Sequence, residues 1–376
     1  TRRISRASSV QRMGRAGRLG PGRCYRLWSE EQQQQLAPQG EPEILQADLA
    51  PLVLQLLDWG ITEPGELSWL DRPPQGAWQQ GLLLLQSLGA IVCTKGDEAD
   101  WKMTEMGREM LTVPVHPRLA AMMLFARSSG ELELACQLAA MFSERDPIQG
   151  GDVNLARRMD LLTGKASPSQ RGWQQRVKQQ AGQYQRLLQS STDAKVTNKG
   201  SVGIGVLLAC AWPDRIGRKV NEVDSQQQLY QLSNGRRATL SANDGLTRED
   251  YIVAADVGGR AGQSEDRIYL AAALDERVFS QALAHRVQEK QILAWDERQD
   301  RLLAERQCCV GELILSSEKI QDYDRDLAAA EVAAMVQRRG LQVLPWTDEL
   351  RQWRARVCLV QSLEGGDWPD LSDPWL

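Results

Sequence analysis

Along these 376 residues the hydrophobic period changes once, near Gly200, and that change narrows what the chain can fold into. Upstream, apolar residues recur at helical spacing. LAPLVLQLLDWG stops at Gly60, and a second helix over 77–88 stops at Gly89, both glycines standing where helices end. Pro117 to Phe142 gives two more, with stripes of Leu119, Met122, Met123 and Ala126, then Leu134, Leu138, Met141 and Phe142. Downstream, GVLLACAW reads as a buried helix ending at Pro213, and short strands then alternate with turn signals. QLYQL-SNG-RRATL is a hairpin, and DYIVAADV and RIYLAAAL pair across a glycine-rich loop. A chain of this length exceeds one core, so a multidomain α+β protein of roughly two to four domains is expected.

The order helix, helix, short hairpin (90–94 and 101–104 around KGDEAD) is that of a winged helix. The Gln170–Leu188 segment is a longer helix with Trp173, Val177, Tyr184 and Leu188 on one side, and Arg171, Arg176, Lys178 and Arg186 around the rest. The strand-rich part fits a small OB-like barrel, and EKQILAW, RLLAERQCCV and GELILSS continue its β run through Ser317. The tail over 324–339 is alanine-rich and helical. Residues 29–43 (SEEQQQQLAPQGEPE) read as a linker or a capped surface helix. Trp59, Trp69, Trp78 and Trp101 are expected in a core, Trp295 lies on a strand, and Asp370 and Asp373 are turn or cap residues.

Composition excludes several classes. With 42% apolar and 25% charged residues and a net charge of −4, the chain is soluble in type and has no global attraction for nucleic acid. The basic exception is 1–28, with eight arginines and no acidic residue. The seven cysteines form no CxxC pair, and with two histidines no metal site is expected. No apolar h-region or bilayer-length run is readable, so a cytoplasmic protein is expected.

Within that basic segment, QRMGRAGR (Gln11–Arg18) sets three arginines at intervals of three among glycine and alanine. Guanidinium forks match phosphate oxygens, and the glycines allow close approach. A disordered basic arm would mix lysine with arginine and would not need Gly14 and Gly17 at fixed places. GxxxxGK[ST] is absent, and no DExH or DExD run appears where a magnesium-binding acidic pair would be needed.

QRxGRxGR followed by PGRCYRLW resembles motif VI of the DEAH-box RNA helicases. PVHPRLAAMMLFA and WLDRPPQGAWQQGLLLLQSLGAI resemble that family's helix bundle junction and winged helix. LLACAWPDRIGR, LSNGRRATLS, ILAWDE and WPDLSD resemble its bacterial HrpB type. The resemblance implies an end of a second RecA-like domain (1–28), a linker (29–43), a winged helix (44–112), a helical bundle (113–197), an OB-like and following β region (198–317) and an HrpB-type C-terminal region (318–376).

By the same resemblance, Arg15 and Arg18 would be arginine fingers that stabilise charge on a γ-phosphate. Gln11, Gly14 and Gly17 would lie against the nucleotide, with Arg12 supporting the loop through ion pairs. ATP and Mg2+ would be used by an intact enzyme whose N-terminal half carries the P-loop, and not bound by this chain alone. RNA would be the partner, its strand tracked by Arg171, Arg176 and Lys178 of the bundle and Arg236 and Arg237 of the hairpin. Two other expectations remain open: a non-catalytic RNA- or partner-binding module made of the accessory domains, and a DNA-binding winged-helix regulator, in which motif VI would have no purpose.

Overall fold

The computed structural model describes residues 4–94, 101–148, 150–165, 167–189, 202–223, 226–259, 265–297, 299–364, 368 and 371. The chain forms two compact units: Thr1–Tyr230 with Ala238–Asp275, and Gln231–Arg237 with Glu276–Leu376.

The first unit begins with α1 (Arg6–Arg15) and α2 (Glu30–Gln34). The Ser5 side chain accepts from the Ser8 N–H, and Ser29 with Gln32 makes a capping box on α2. The expected linker is therefore partly helical. Its return also caps α1: the Ala37 and Pro38 carbonyls accept the Arg6 and Ala7 amides at 2.8 and 3.1 Å, groups that a helix start otherwise leaves unpaired.

Next come α3 (Ala50–Asp58), α4 (Gln75–Ser87), β1 (Ile91–Cys93), β2 (Trp101–Met103) and α5 (Glu105–Leu111). Gly60 and Gly89 follow the two helices at φ 83° and 75°, a region where glycine carries no steric penalty. β1 pairs with β2 antiparallel, Val92 opposite Lys102, while the KGDEAD turn lies outside the described residues. Trp78 is buried as expected, and Trp69 and Trp101 are half-buried. Trp59 departs from the expectation. It follows the last turn of α3, beyond the buried Val53, Leu54, Leu56 and Leu57, and is 75% exposed.

Five helices follow: α6 (Pro117–Ser129), α7 (Leu132–Ser143), α8 (Leu155–Thr163), α9 (Arg171–Gln189) and α10 (Ile204–Ala211). α6 touches α5, α7 and α10, and is buried on almost every side because helices surround it. α8 is absent from the sequence expectation. Its narrow stripe of Leu155, Met159 and Leu162 is set in an otherwise polar run.

The strands β3 (Ile216–Val223), β4 (Gln227–Leu232), β5 (Arg237–Ser241), β6 (Tyr251–Gly258) and β7 (Glu265–Ala273) close in the order β3-β4-β5-β7-β6. β3 was not expected, since IGRKVNEV is mostly polar and has glycine at its second position, yet its pairing with β6 (Ile216 opposite Val253) completes the closure. α10 lies directly on this sheet: a Cβ at Gly205 would stand 2.1 Å from the Ala273 carbonyl oxygen. A bulge in β6 lies between Ala254 and Asp256, and the Arg215 guanidinium donates to the Ala255 carbonyl at 3.0 Å.

In the second unit, β8 (Gln288–Asp296), β9 (Arg301–Val310) and β10 (Leu313–Lys319) form an antiparallel sheet in the order β10-β9-β8. The β run read as continuing from the barrel through Ser317 is thus a distinct sheet. α11 (Arg325–Arg339) packs on β8, and α12 (Asp348–Glu364) is a further helix that the sequence reading did not anticipate. The hairpin tip docks at the β9–β10 turn. Glu312 N–H donates to the Ser233 carbonyl at 2.8 Å, and Gly311 (φ 60°) would place a Cβ 2.3 Å from that oxygen. Asp370 and Asp373 lie outside the described residues.

Candidate functional site

The arginine motif is divided between a helix and the turn after it. α1 runs through Arg15, and Ala16 ends it in right-handed conformation. Gln11, Gly14 and Arg15 therefore fall at i, i+3 and i+4, on one helical face. All three are exposed, as are Gly17 and Arg18 in the following turn. Nothing lies within 4 Å of where a Gly14 Cβ would be, so this face is open between the glutamine and the arginine. Arg12 and Arg15 stand in the last turn, where the helix dipole favours cations. Among the described residues, Arg12, Arg15 and Arg18 have no ion-pair partner, so the pairs expected of Arg12 are not seen there.

The glycine that the fold itself requires here is one the sequence reading passed over. A Cβ at Gly22 would stand 1.8 Å from the Ala16 carbonyl oxygen, so Gly22 lets the chain return against the end of α1. The motif is an exposed cationic face held on a capped, folded-back scaffold. Chemically it can meet a phosphate through two guanidinium forks and one amide.

The expected strand-tracking residues separate into three settings. Arg171 and Lys178, seven apart on α9, share one flank and are exposed. Arg176 lies on the other flank and bonds Glu144 at 2.9 Å, so part of its charge is already balanced. Arg236 and Arg237 are exposed at the hairpin, where Asn234 Oδ1 accepts the Arg236 N–H at 3.0 Å. The Gly235 Cα lies beside Glu312, since a Cβ there would be 3.7 Å from its Cγ, so the tip is a docked element with acid nearby.

Two of the blocks that carry the family resemblance meet at a buried ion pair. Arg118 of HPRLA reaches Asp214 of WPDR with both terminal nitrogens, at 2.5 and 3.0 Å, and donates to the Ala211 carbonyl at 3.0 Å. This bidentate contact fixes the start of α6 to the end of α10. Burial, followed by the neighbouring Arg118 charge, lowers the pKa of Arg215 beside it. Among the described residues no three His, Cys, Asp or Glu side chains gather as a metal site, and no helix is long and apolar enough to cross a membrane.

Similarity to known proteins follows the same blocks. A model of the connector region of the ATP-dependent RNA helicase HrpB matches residues 286–320, the span of β8 to β10. The chain is 34% identical to ATP-dependent RNA helicase HrpB of Escherichia coli (strain K12) over 374 residues, 99% of this chain and 43% of that relative. Against ATP-dependent RNA helicase HrpA of the same organism it is 37% identical over 144 residues, 38% of this chain and 11% of the relative. The crystal structure of Escherichia coli DEAH/RHA helicase HrpB superposes with a TM-score of 0.63 at 31% identity, covering 100% of this chain and 44% of that one. The chain thus spans less than half the length of the HrpB proteins it matches from end to end.

Proposed function

We propose, on the premise that this chain belongs to the HrpB-type family of DEAH-box ATP-dependent RNA helicases and corresponds to their C-terminal region, that it supplies the arginine side of an ATP site and part of an RNA-tracking surface. Residues 1–28 are read as the end of a second RecA-like domain, 44–112 as a winged helix and 113–197 as the helical bundle. The closed sheet is read as an OB-like barrel, followed by the connector and the C-terminal region. The setting is cytoplasmic.

The observation that carries this reading is the open face of α1. Gln11 and Arg15 flank an unobstructed Gly14, and Arg18 follows in the exposed turn. A γ-phosphate presented there by a P-loop on another domain would meet cations that have no ion-pair partner among the described residues of this chain. Arg15 and Arg18 then take up the charge that develops as the phosphoryl group leaves, and Gln11 offers an amide at the same edge. ATP supplies the phosphoryl group. Its Mg2+ would be held by acidic and P-loop residues of that other domain, which this sequence does not contain. Arg171 and Lys178 on their common flank, with Arg236 and Arg237 at the hairpin, would track the strand backbone.

RNA-stimulated ATPase of the complete protein carrying this chain tests the reading. Arg15→Ala and Arg18→Ala should each lower kcat by about 100- to 1000-fold with an unchanged melting temperature. Turnover within a few-fold of wild type for both variants would overturn the arginine assignment. A native protein of only 42.0 kDa on a denaturing blot would leave an RNA- or partner-binding module in its place.

A further inference from the structure

Within the first unit, a cavity of about 530 Å3 lies between the bundle and the outer face of strands β6 and β7. Its volume falls in the usual range of small-molecule sites, roughly 300–1,000 Å3. The bundle contributes Phe142, Arg158 and Trp173; the sheet contributes Asp256, Arg267 and Tyr269. Val153 is held to β7 by the Ala271 N–H, which donates to its carbonyl at 2.9 Å, so the loop that roofs the cavity is anchored to the strand that floors it.

The charges around this space are mostly consumed. Glu144 pairs with Arg176, Asp146 with Arg158, and Asp152 with Arg157. What remains is one exposed carboxylate, Asp256, without an ion-pair partner among the described residues, and one guanidinium, Arg267, lying 5.6 Å from the centre of the Tyr269 ring. Tyr269 is 49% exposed, an aromatic face kept at the surface of a sheet. Two buried donors also lack partners: the Trp173 indole N–H and the Arg158 Nε–H. Both atoms are shielded from solvent, so they lie behind the cavity wall and not among the groups that a ligand would meet.

A phosphate would meet no uncommitted cation except Arg267 and would face Asp256. An ammonium would meet the reverse conflict. A flat, uncharged ligand carrying both donors and acceptors satisfies all of these groups together, with a ring face for Tyr269 and N–H groups for the carboxylate. We propose that this cavity is a nucleobase-binding site, selective for guanine, in which Tyr269 with Arg267 forms the stacking platform and Asp256 accepts from the base edge. Guanine offers adjacent N1–H and N2–H donors that match a carboxylate fork, whereas adenine and cytosine offer only an amino group and uracil a single N–H. Trp173 lines the same cavity and so reports on its occupation. The base belongs to an RNA strand if the helicase reading above holds, on which this part rests; the same chemistry would take a free guanine nucleotide if it does not.

Titration of the indole-15N-labelled chain decides between them, with the Trp173 resonance assigned by its loss in Trp173→Phe. The probes are GMP, AMP and UMP and the RNAs (GU)6 and (AU)6, with affinities from anisotropy. The expected results are a Trp173 shift with GMP, tighter binding of (GU)6 than (AU)6, loss of that preference in Asp256→Asn, and about tenfold weaker binding of both RNAs in Tyr269→Ala. RNA binding that none of these variants alters would overturn the base site and leave the helicase reading standing. A GMP shift abolished in Asp256→Asn, without RNA binding, would keep the site as a free-nucleotide site and remove the RNA reading. No response of Trp173 to any probe would overturn the proposal. Variants are compared only where the melting temperature matches wild type.

Discussion

Helices α6 and α1 stand at opposite extremes of burial, and the contrast separates what folding demands of this chain from what a ligand demands. In α6 every residue from Pro117 to Leu124 is buried, along with Ala126 and Ser129. In α1 only Ser9 is buried, and Leu19, Tyr25 and Leu27 beyond it are almost wholly exposed. Side chains of α6 are fixed by neighbours within the chain. Those of α1 and its turn have their backbone secured by caps while their apolar and cationic side chains face outward. The apolar side chains of this segment find no cover among the described residues of this chain.

The sharpest test of that difference is the ion pair at the foot of α6. Asp214→Ala would leave the Arg118 guanidinium, 10% exposed on its side chain, without its carboxylate. Because Asp214 keeps 30% side-chain exposure, water can replace part of the bond. The expected loss is about 3 kcal/mol, the low end for breaking a buried pair. Urea unfolding of wild type and variant measures it, and a loss below about 0.5 kcal/mol would mean that α6 is held by packing alone.

Glycines sharpen the comparison next. At Gly205 a Cβ would meet the Ala273 backbone at 2.1 Å, so Gly205→Ala must push α10 off β7 and should cost about 1–3 kcal/mol. At Gly14, inside α1, a Cβ meets nothing, and alanine should leave stability unchanged or raise it by up to about 1 kcal/mol. On the proposed arginine-finger reading, Gly14→Ala should nonetheless slow the ATPase of the complete protein, because the added methyl would stand on the face proposed to meet phosphate. If it destabilised the fold instead, α1 would be a packed helix and the contrast with α6 would fail.

The same distinction explains how much could be read without coordinates. α3 and α4 were legible because their stripes end on Gly60 and Gly89, and α6 and α7 because Met122, Leu138 and their neighbours repeat at helical spacing. β3, α8 and α12 were not. Each is polar over most of its length, and the first two owe their places to partners far away in sequence: β6 for β3 and β7 for α8. Trp59 misled for the opposite reason, since its apolar neighbours pack while it sits past the helix end. The motif residues Gln11, Gly14 and Arg15 were legible from their order and spacing, but their common helical face was not, because the glycine-rich run reads as a loop. The cavity was invisible because Arg158, Trp173 and Tyr269 come from α8, α9 and β7, and only the fold brings them together.

The smallest expected effect tests the seam between α3 and α6. Asp48 Oδ1 accepts the Ala50 N–H at 2.9 Å at the start of α3, and its Oδ2 lies 3.2 Å from His116 Nε2 at the cap of α6. His116 Nδ1 accepts the Arg118 N–H at 3.2 Å, so the proton bonded to Asp48 belongs on Nε2, an assignment made from the network. The His116 bond, aided by the Ala50 amide and opposed by burial, holds the Asp48 carboxyl at about 2 against an ordinary 3.8. A folded-state value below the unfolded one means that this carboxylate stabilises above about pH 4 and that its contribution fades as pH falls towards 2. With the Asp48 side chain 52% exposed, solvent screening keeps the whole contribution below about 1 kcal/mol. Urea unfolding of wild type and Asp48→Ala at pH 7, 4 and 2.5 should show a gap that is constant between the first two and largely gone at the third. A gap that persists at the lowest pH would assign the seam to the packing of α3 against its neighbours, and α6 would then owe this carboxylate nothing.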